Sequence, residues 1–351
     1  MRNILIRGAN WLGDAVMTIP ALREVRRIFA QARITMWTKQ SLHDLFTGTD
    51  LVDDVLPAQG DSIGLQARSI RAGAFDLAIL FQNSFRAALV TWLGRVPLRC
   101  GYQTYGRGFL LTHPIPVDPA LRLRHQVIYY LNLVAQLERA MVGYTDVDCA
   151  NPNVHLPVRP ELRREGLRLL AEHGIDRSYK LVLINPGATN SRAKQWHAER
   201  FAAVADQLLS RGDSHVAIIG APEEARLAQM IAQQMLRHPT ILTGRTTLRQ
   251  LLAVMSYADL LISNDTGPAH LAAAIGVPTL VIFGPTEYWA TRPLAECATV
   301  VRQPVGCAPC MLRECPIDHR CMTRITINDV LTPATAILDA ATVNRAADCA
   351  G

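Results

Sequence analysis

One pattern, used twice, limits the fold of this chain more than any other feature. Short apolar runs at 3–7, 33–37, 53–56 and 75–80 alternate with longer amphipathic stretches. The alternation lapses at 151–160, where Pro152, Pro157 and Pro160 crowd into ten residues, and then restarts with runs at 180–184, 215–219, 259–263 and 279–283. Strand, crossover helix and strand in succession build parallel sheets, and a proline-rich stretch between two such sets reads as a linker. The expected architecture is α/β: two Rossmann-like domains whose parallel sheets face across a cleft. The expected boundaries are 1–155 and 156–328, with 329–351 a C-terminal helix that packs back on the N-terminal domain.

Composition narrows the class. With 351 residues, 49% apolar and 19% charged, the chain can bury a core in each of two domains. The longest stretch without charged residues, 266–286, is punctuated by Gly267, Pro268, Gly276, Pro278, Gly284 and Pro285. It therefore predicts a helix and a strand rather than a membrane span. The apolar run at 4–6 is too short for a secretory leader, so a soluble, cytoplasmic protein is expected. The net charge of +6 comes almost wholly from arginine, with lysine only at 39, 180 and 194. It is not gathered into the basic stripe of a nucleic-acid binder, so no nucleic-acid partner is expected. A mild surplus suits an anionic small molecule or an anionic membrane surface.

Three strand ends carry the candidate chemistry. The first run leads into Gly8-Ala-Asn-Trp-Leu-Gly13-Asp14. This lacks the Gly-x-Gly-x-x-Gly of dinucleotide binding, and Asp14 stands where a phosphate-binding loop needs lysine. Asp14 is then either a carboxylate presented at the ligand-binding edge of the sheet or the cap of the next helix. The second site, Asn185-Pro-Gly-Ala-Thr189-Asn190-Ser-Arg-Ala-Lys194-Gln-Trp196, sets small residues and an ammonium before a helix. That combination suits phosphate, and a lysine in an arginine-using chain points to a compact charge. The third, Ser263-Asn-Asp265-Thr266-Gly267-Pro-Ala-His270, again opens a helix. Asp265 and Thr266 are expected to cap it, and His270 lies one turn on, beside the amides of 266 and 267.

Taken together, these motifs resemble the ADP-heptose lipopolysaccharide heptosyltransferases, glycosyltransferase family 9, which are inverting enzymes of the two-Rossmann GT-B fold. The resemblance runs from the first strand to about Asn328. Gly-Ala-Asn-Trp-Leu-Gly-Asp and Asn83-Ser-Phe-Arg86-Ala-Ala-Leu are most similar to the branch that adds the second heptose of the inner core. The resemblance implies transfer from ADP-heptose to the first heptose of Kdo–lipid A, with Asp14 as general base. It also implies that Lys194 is catalytic through the leaving diphosphate. Gly13, Thr189, Asn190, Lys194, Asp265, Thr266, Gly267 and His270 would bind the donor. An anionic acceptor would meet Asn83, Ser84, Arg86, Arg107, Arg124 and His125. No cofactor is implied for catalysis. The protein would work at the inner face of the cytoplasmic membrane, touching it without entering.

Cys307, Cys310, Cys315 and Cys321 stand outside this scheme. Four thiols so close together in a cytosolic chain suit a structural zinc or redox chemistry better than disulfides. Similar cysteine-rich segments occur in some members of the family, which implies a local staple rather than a catalytic part.

Overall fold

The computed structural model describes residues 1–348 apart from 59, 61 and 190, and side chains as far as 341. Its contacts divide the chain into two units, Met1–Val154 and His155–Gly351. The first holds strands β1 (Asn3–Arg7), β2 (Arg33–Thr38), β3 (Asp54–Pro57), β4 (Leu77–Leu80), β5 (Leu98–Tyr102) and β6 (His113–Ile115). The second holds β7 (Lys180–Asn185), β8 (Ser214–Ile218), β9 (Thr240–Ile241), β10 (Leu260–Asn264), β11 (Thr279–Phe283) and β12 (Ala298–Arg302). Every pairing is parallel.

The spatial orders are β3-β2-β1-β4-β5-β6 and β12-β11-β10-β7-β8-β9. Each sheet thus starts in its middle, builds outward to one edge, then returns to build the other. The points of reversal lie between β1 and β4 and between β7 and β10. Ligands of open parallel sheets bind outside the carboxyl ends of the strands at such a reversal. All six positions of β7 and all five of β10 and β11 are buried, because helices cover both faces of the sheet.

Local chemistry sets the helix limits. Two helices follow the first turn, Leu12–Met17 and Ile19–Ile28. Thr18 closes the first by bonding back to Ala15 O, and Pro20 lacks the N–H that would continue it but suits the start of the second. The last helix, Ile327–Asp348, falls within the second unit. Its Val330, Ala334 and Leu338 are fully buried in the core of the second unit, together with Phe201, Leu208 and Ile262. Its described apolar face is therefore used within its own domain.

Candidate active site

In the first unit the loops after β1 and β4 leave the sheet at its reversal point. Asp14 is the third residue of the helix Leu12–Met17, whose N-cap position is occupied by Trp11. It is therefore not the cap. The carboxylate is half-buried, and Tyr130 Oη donates to its Oδ1 at 3.4 Å. Burial, and then the charge of Asp14, hold the Tyr130 phenol well above its ordinary pKa, so it remains a donor.

The loop after β4 is built rather than loose. Ser84 caps the helix Phe85–Leu93 by accepting from Ala87 N at 3.1 Å. The Asn83 amide is held at both ends: Nδ2 donates to Tyr129 Oη at 2.6 Å, and Oδ1 accepts from Arg107 at 2.9 Å. Arg107, expected to meet the acceptor, has no exposed surface at all. Its guanidinium donates to Tyr102 O at 2.8 Å and Gln82 O at 2.5 Å, which shapes the 82–84 loop from beneath. Burial brings its pKa down to about 10. Gly101 makes room for it, since a Cβ there would lie 3.1 Å from the Arg107 guanidinium. Arg107 is thus a positioning residue. Arg86 is half-buried in the first turn of Phe85–Leu93, whereas Arg124 is exposed. His125 caps the helix Gln126–Val142, its Nδ1 accepting from Val127 N at 3.2 Å.

In the second unit, side-chain amides join the two loops at the reversal point. Asn185 Nδ2 donates to Ser263 Oγ at 2.9 Å and to Thr266 Oγ1 at 2.7 Å. Asn264 Nδ2 donates to Pro186 O at 2.7 Å, and its Oδ1 accepts from Trp196 N at 3.1 Å. Motifs almost eighty residues apart therefore form one rigid surface. Lys194 closes the 3₁₀ turn Arg192–Lys194 and places Nζ 2.8 Å from Asp265 Oδ2. Thr286 donates to the same oxygen at 2.7 Å. Thr266 holds the N-cap position of the helix Gly267–Ala274 as expected but makes no side-chain cap bond, its hydroxyl accepting from Asn185, and the Asp265 carboxylate is occupied by Lys194 and Thr286. Gly267 opens that helix and His270 lies in it, buried. The exposed Thr189 hydroxyl lies 3.4 Å from Glu224 Oε1. Asn190 lies outside the described residues. An uncapped helix start beside a half-buried ammonium is an anion-holding arrangement.

Residues 65–320 match the glycosyltransferase family 9 (heptosyltransferase) model. The chain belongs to that family. It is 28% identical over 347 residues to lipooligosaccharide heptosyltransferase 2 of Campylobacter jejuni, covering 95% of this chain and 98% of that one. It is 30% identical over 312 residues to the lipopolysaccharide core heptosyltransferase OpsX of Haemophilus influenzae, covering 86% and 84%. Its coordinates match the Escherichia coli ADP-heptose LPS heptosyltransferase II structure with a TM-score of 0.82 at 23% identity, over 96% of this chain and 98% of that one. The fold is accordingly that of the GT-B heptosyltransferases.

The cysteine segment of this family 9 glycosyltransferase spans several degrees of burial. Cys307 and Cys310 are exposed and Cys315 is half-buried, whereas Cys321 is buried in the second core beside Met322. Among the described residues no three His, Cys, Asp or Glu side chains converge as a metal-holding group. Burial, and after it the neighbouring thiols, raise the Cys321 pKa to about 11.

Tyr130, Asn185 and Glu224 were not anticipated. Tyr130 lies on a helix whose sequence shows only amphipathic spacing, and its relation to Asp14 spans 116 residues. Asn185 ends β7, and nothing in the sequence sets it apart from the loop that follows. Glu224 is revealed by Gly187, where a Cβ would lie 1.9 Å from its Oε1. No helix among the described residues is long and apolar enough to cross a membrane.

Proposed function

We propose that the protein transfers L-glycero-D-manno-heptose from ADP-heptose to the first heptose of a Kdo–lipid A inner core. The observation that carries this reading is the end-to-end likeness to a heptosyltransferase 2, spanning 98% of that relative. Asp14 is the general base. It takes the proton of the acceptor hydroxyl as the oxygen attacks the anomeric carbon, and ADP departs from the opposite face with inversion. Tyr130 orients the carboxylate through its hydrogen bond. The charge developing on the diphosphate is met by Lys194, the amides of Thr266 and Gly267, and His270, so the chemistry makes no demand for a metal. Asp265 holds the ammonium in place at 2.8 Å. Work at the inner membrane face is supported by exposed apolar side chains of the first unit: Phe85, Tyr105, Phe109 and Leu123.

A second reading is transfer of another heptose of the core, favoured by the likeness to the core heptosyltransferase OpsX. Incubating the purified protein with ADP-heptose and Kdo–lipid A carrying one heptose or none, with products read by mass spectrometry, separates the two. Transfer to the one-heptose acceptor alone is expected. Transfer to the heptose-free acceptor alone would establish the second reading. The rate should be unchanged by excess EDTA.

A further inference from the structure

The cysteine segment takes no part in the proposed chemistry, yet it is bonded directly to the donor loops of the second unit. Residues 307–319 belong to no described helix or strand, so their peptide groups find partners elsewhere. Cys310 N and Met311 N both donate to Pro285 O at 2.9 Å. The next residue, Thr286, is the one whose hydroxyl donates to Asp265 Oδ2 at 2.7 Å. Farther along, Arg313 O accepts from Ala193 N at 3.0 Å, and His319 Nε2 lies 2.6 Å from Ala193 O. A carbonyl only accepts, so Nε2 carries the proton and donates. Ala193 is 3% exposed and immediately precedes Lys194. The segment therefore grips the chain beside both groups that flank the Asp265 carboxylate, Lys194 and Thr286. None of these bonds uses a thiol.

The turn Arg192–Lys194 is three residues of 3₁₀ helix, which has little stiffness of its own. A lysine ammonium rides on a flexible four-carbon stem, so its place is set only when backbone and head are both held. Asp265 holds the head at 2.8 Å, while His319 and Arg313 O hold the backbone one residue earlier. His319 is itself fixed. Its φ of 54° lies in the left-handed region, where His is more at ease than most residues. Its carbonyl accepts from Met322 N and Thr323 N, each at 2.9 Å, and Cys321 and Met322 are buried in the second core. A short chain of contacts thus runs from that core, through one imidazole, to the turn bearing the ammonium.

We propose that His319 is a positioning residue of the donor site, which through Ala193 O seats the Arg192–Lys194 turn so that the Lys194 ammonium meets the donor diphosphate. The inference rests on the heptosyl-transfer reading and deepens it. It gives the segment that carries the cysteines a part in holding the nucleotide sugar.

The test uses the full-length protein, with ADP binding read by calorimetric titration and transfer to the one-heptose acceptor read as ADP release. His319→Asn suits the same backbone conformation but its amide stops short of Ala193 O, and His319→Phe keeps a ring without a donor. Each should weaken ADP binding and raise KM for ADP-heptose about fivefold, leaving KM for the acceptor within about twofold. His319→Gln, whose amide N–H reaches to where Nε2 stood, should recover most of the loss. In a Lys194→Ala background the same substitutions should have no further effect on ADP affinity, because the group being positioned is gone. Thermal melting checks that each variant folds, and either of the two donorless variants suffices for the comparison. Wild-type affinity for ADP in a folded donorless variant would overturn the positioning role and leave the transfer reading standing. So would losses that persist in full without Lys194 or that fall equally on the acceptor. Wild-type protein that binds ADP but transfers heptose to neither the one-heptose nor the heptose-free acceptor would instead overturn the reading itself.

Discussion

At the scale of single residues, the proposed chemistry separates a group that would move a proton from groups that would hold charge. Asp14 is half-buried with one phenol donating to it. An amide of the same shape keeps that geometry but cannot accept the proton. Asp14→Asn should therefore lower kcat by roughly 10²- to 10⁴-fold with little change in KM for ADP-heptose, measured as acceptor-dependent ADP release. Lys194→Ala should behave differently, raising KM for ADP-heptose and lowering kcat together. It also leaves Asp265, 4% exposed, without its cation, so the melting temperature should fall as well. All three lysines turn out to be committed: Lys39 over Trp11, Lys180 to Asp213 at 2.7 Å and Lys194 to Asp265. Hydrogen bonds from Arg211 and Lys180 push the Asp213 pKa far below its ordinary 3.8. A depressed carboxylate stabilises the folded state fully above the unfolded pKa, and that contribution is lost as pH falls through the folded value. Stability should therefore drop more steeply for wild type than for Asp213→Asn as pH is lowered from about 5 to below 3.8, read from urea midpoints.

At the scale of elements, periodicity read well wherever burial is symmetric. The strands at β1, β2, β4, β7, β8, β10 and β11 were visible as apolar runs because both faces are covered. Strands β5, β6, β9 and β12 were not. Each includes half-buried positions, and β5 carries Gly101 for a reason that only the Arg107 packing explains. Helix pairing was equally hidden. The helices Pro160–Glu172 and Leu248–Met255 approach so closely that a Cβ on Gly166 would lie 2.4 Å from Ala253 O. The obstacle is backbone, which cannot swing aside. Gly166→Ala should force the helices apart and cost about 1–3 kcal/mol in chemical denaturation, although alanine is the better helix former.

At the scale of the whole molecule, each unit has its own core and the same strand order, and the proline-rich stretch marks the division. The C-terminal helix is a structural part of the second unit. Leu338, fully buried there, should cost about 2–5 kcal/mol when cut to alanine. The loss should appear in the unfolding transition that ADP shifts upward, because a ligand stabilises the unit that binds it. The sequence by itself determined the α/β class, the two sheets, and the strand ends bearing Asp14, Lys194 and Asp265. These follow from local periodicity and from loops that must leave strands at the same edge. Tertiary structure alone decided that Arg107 is buried and Arg7 lines a cavity, that Lys194 is paired with Asp265, that Cys321 belongs to a core, and that the last helix joins the second unit. Those outcomes depend on which distant segments meet, and one arginine codon looks the same whether its side chain ends in water, under a loop or beside a cavity.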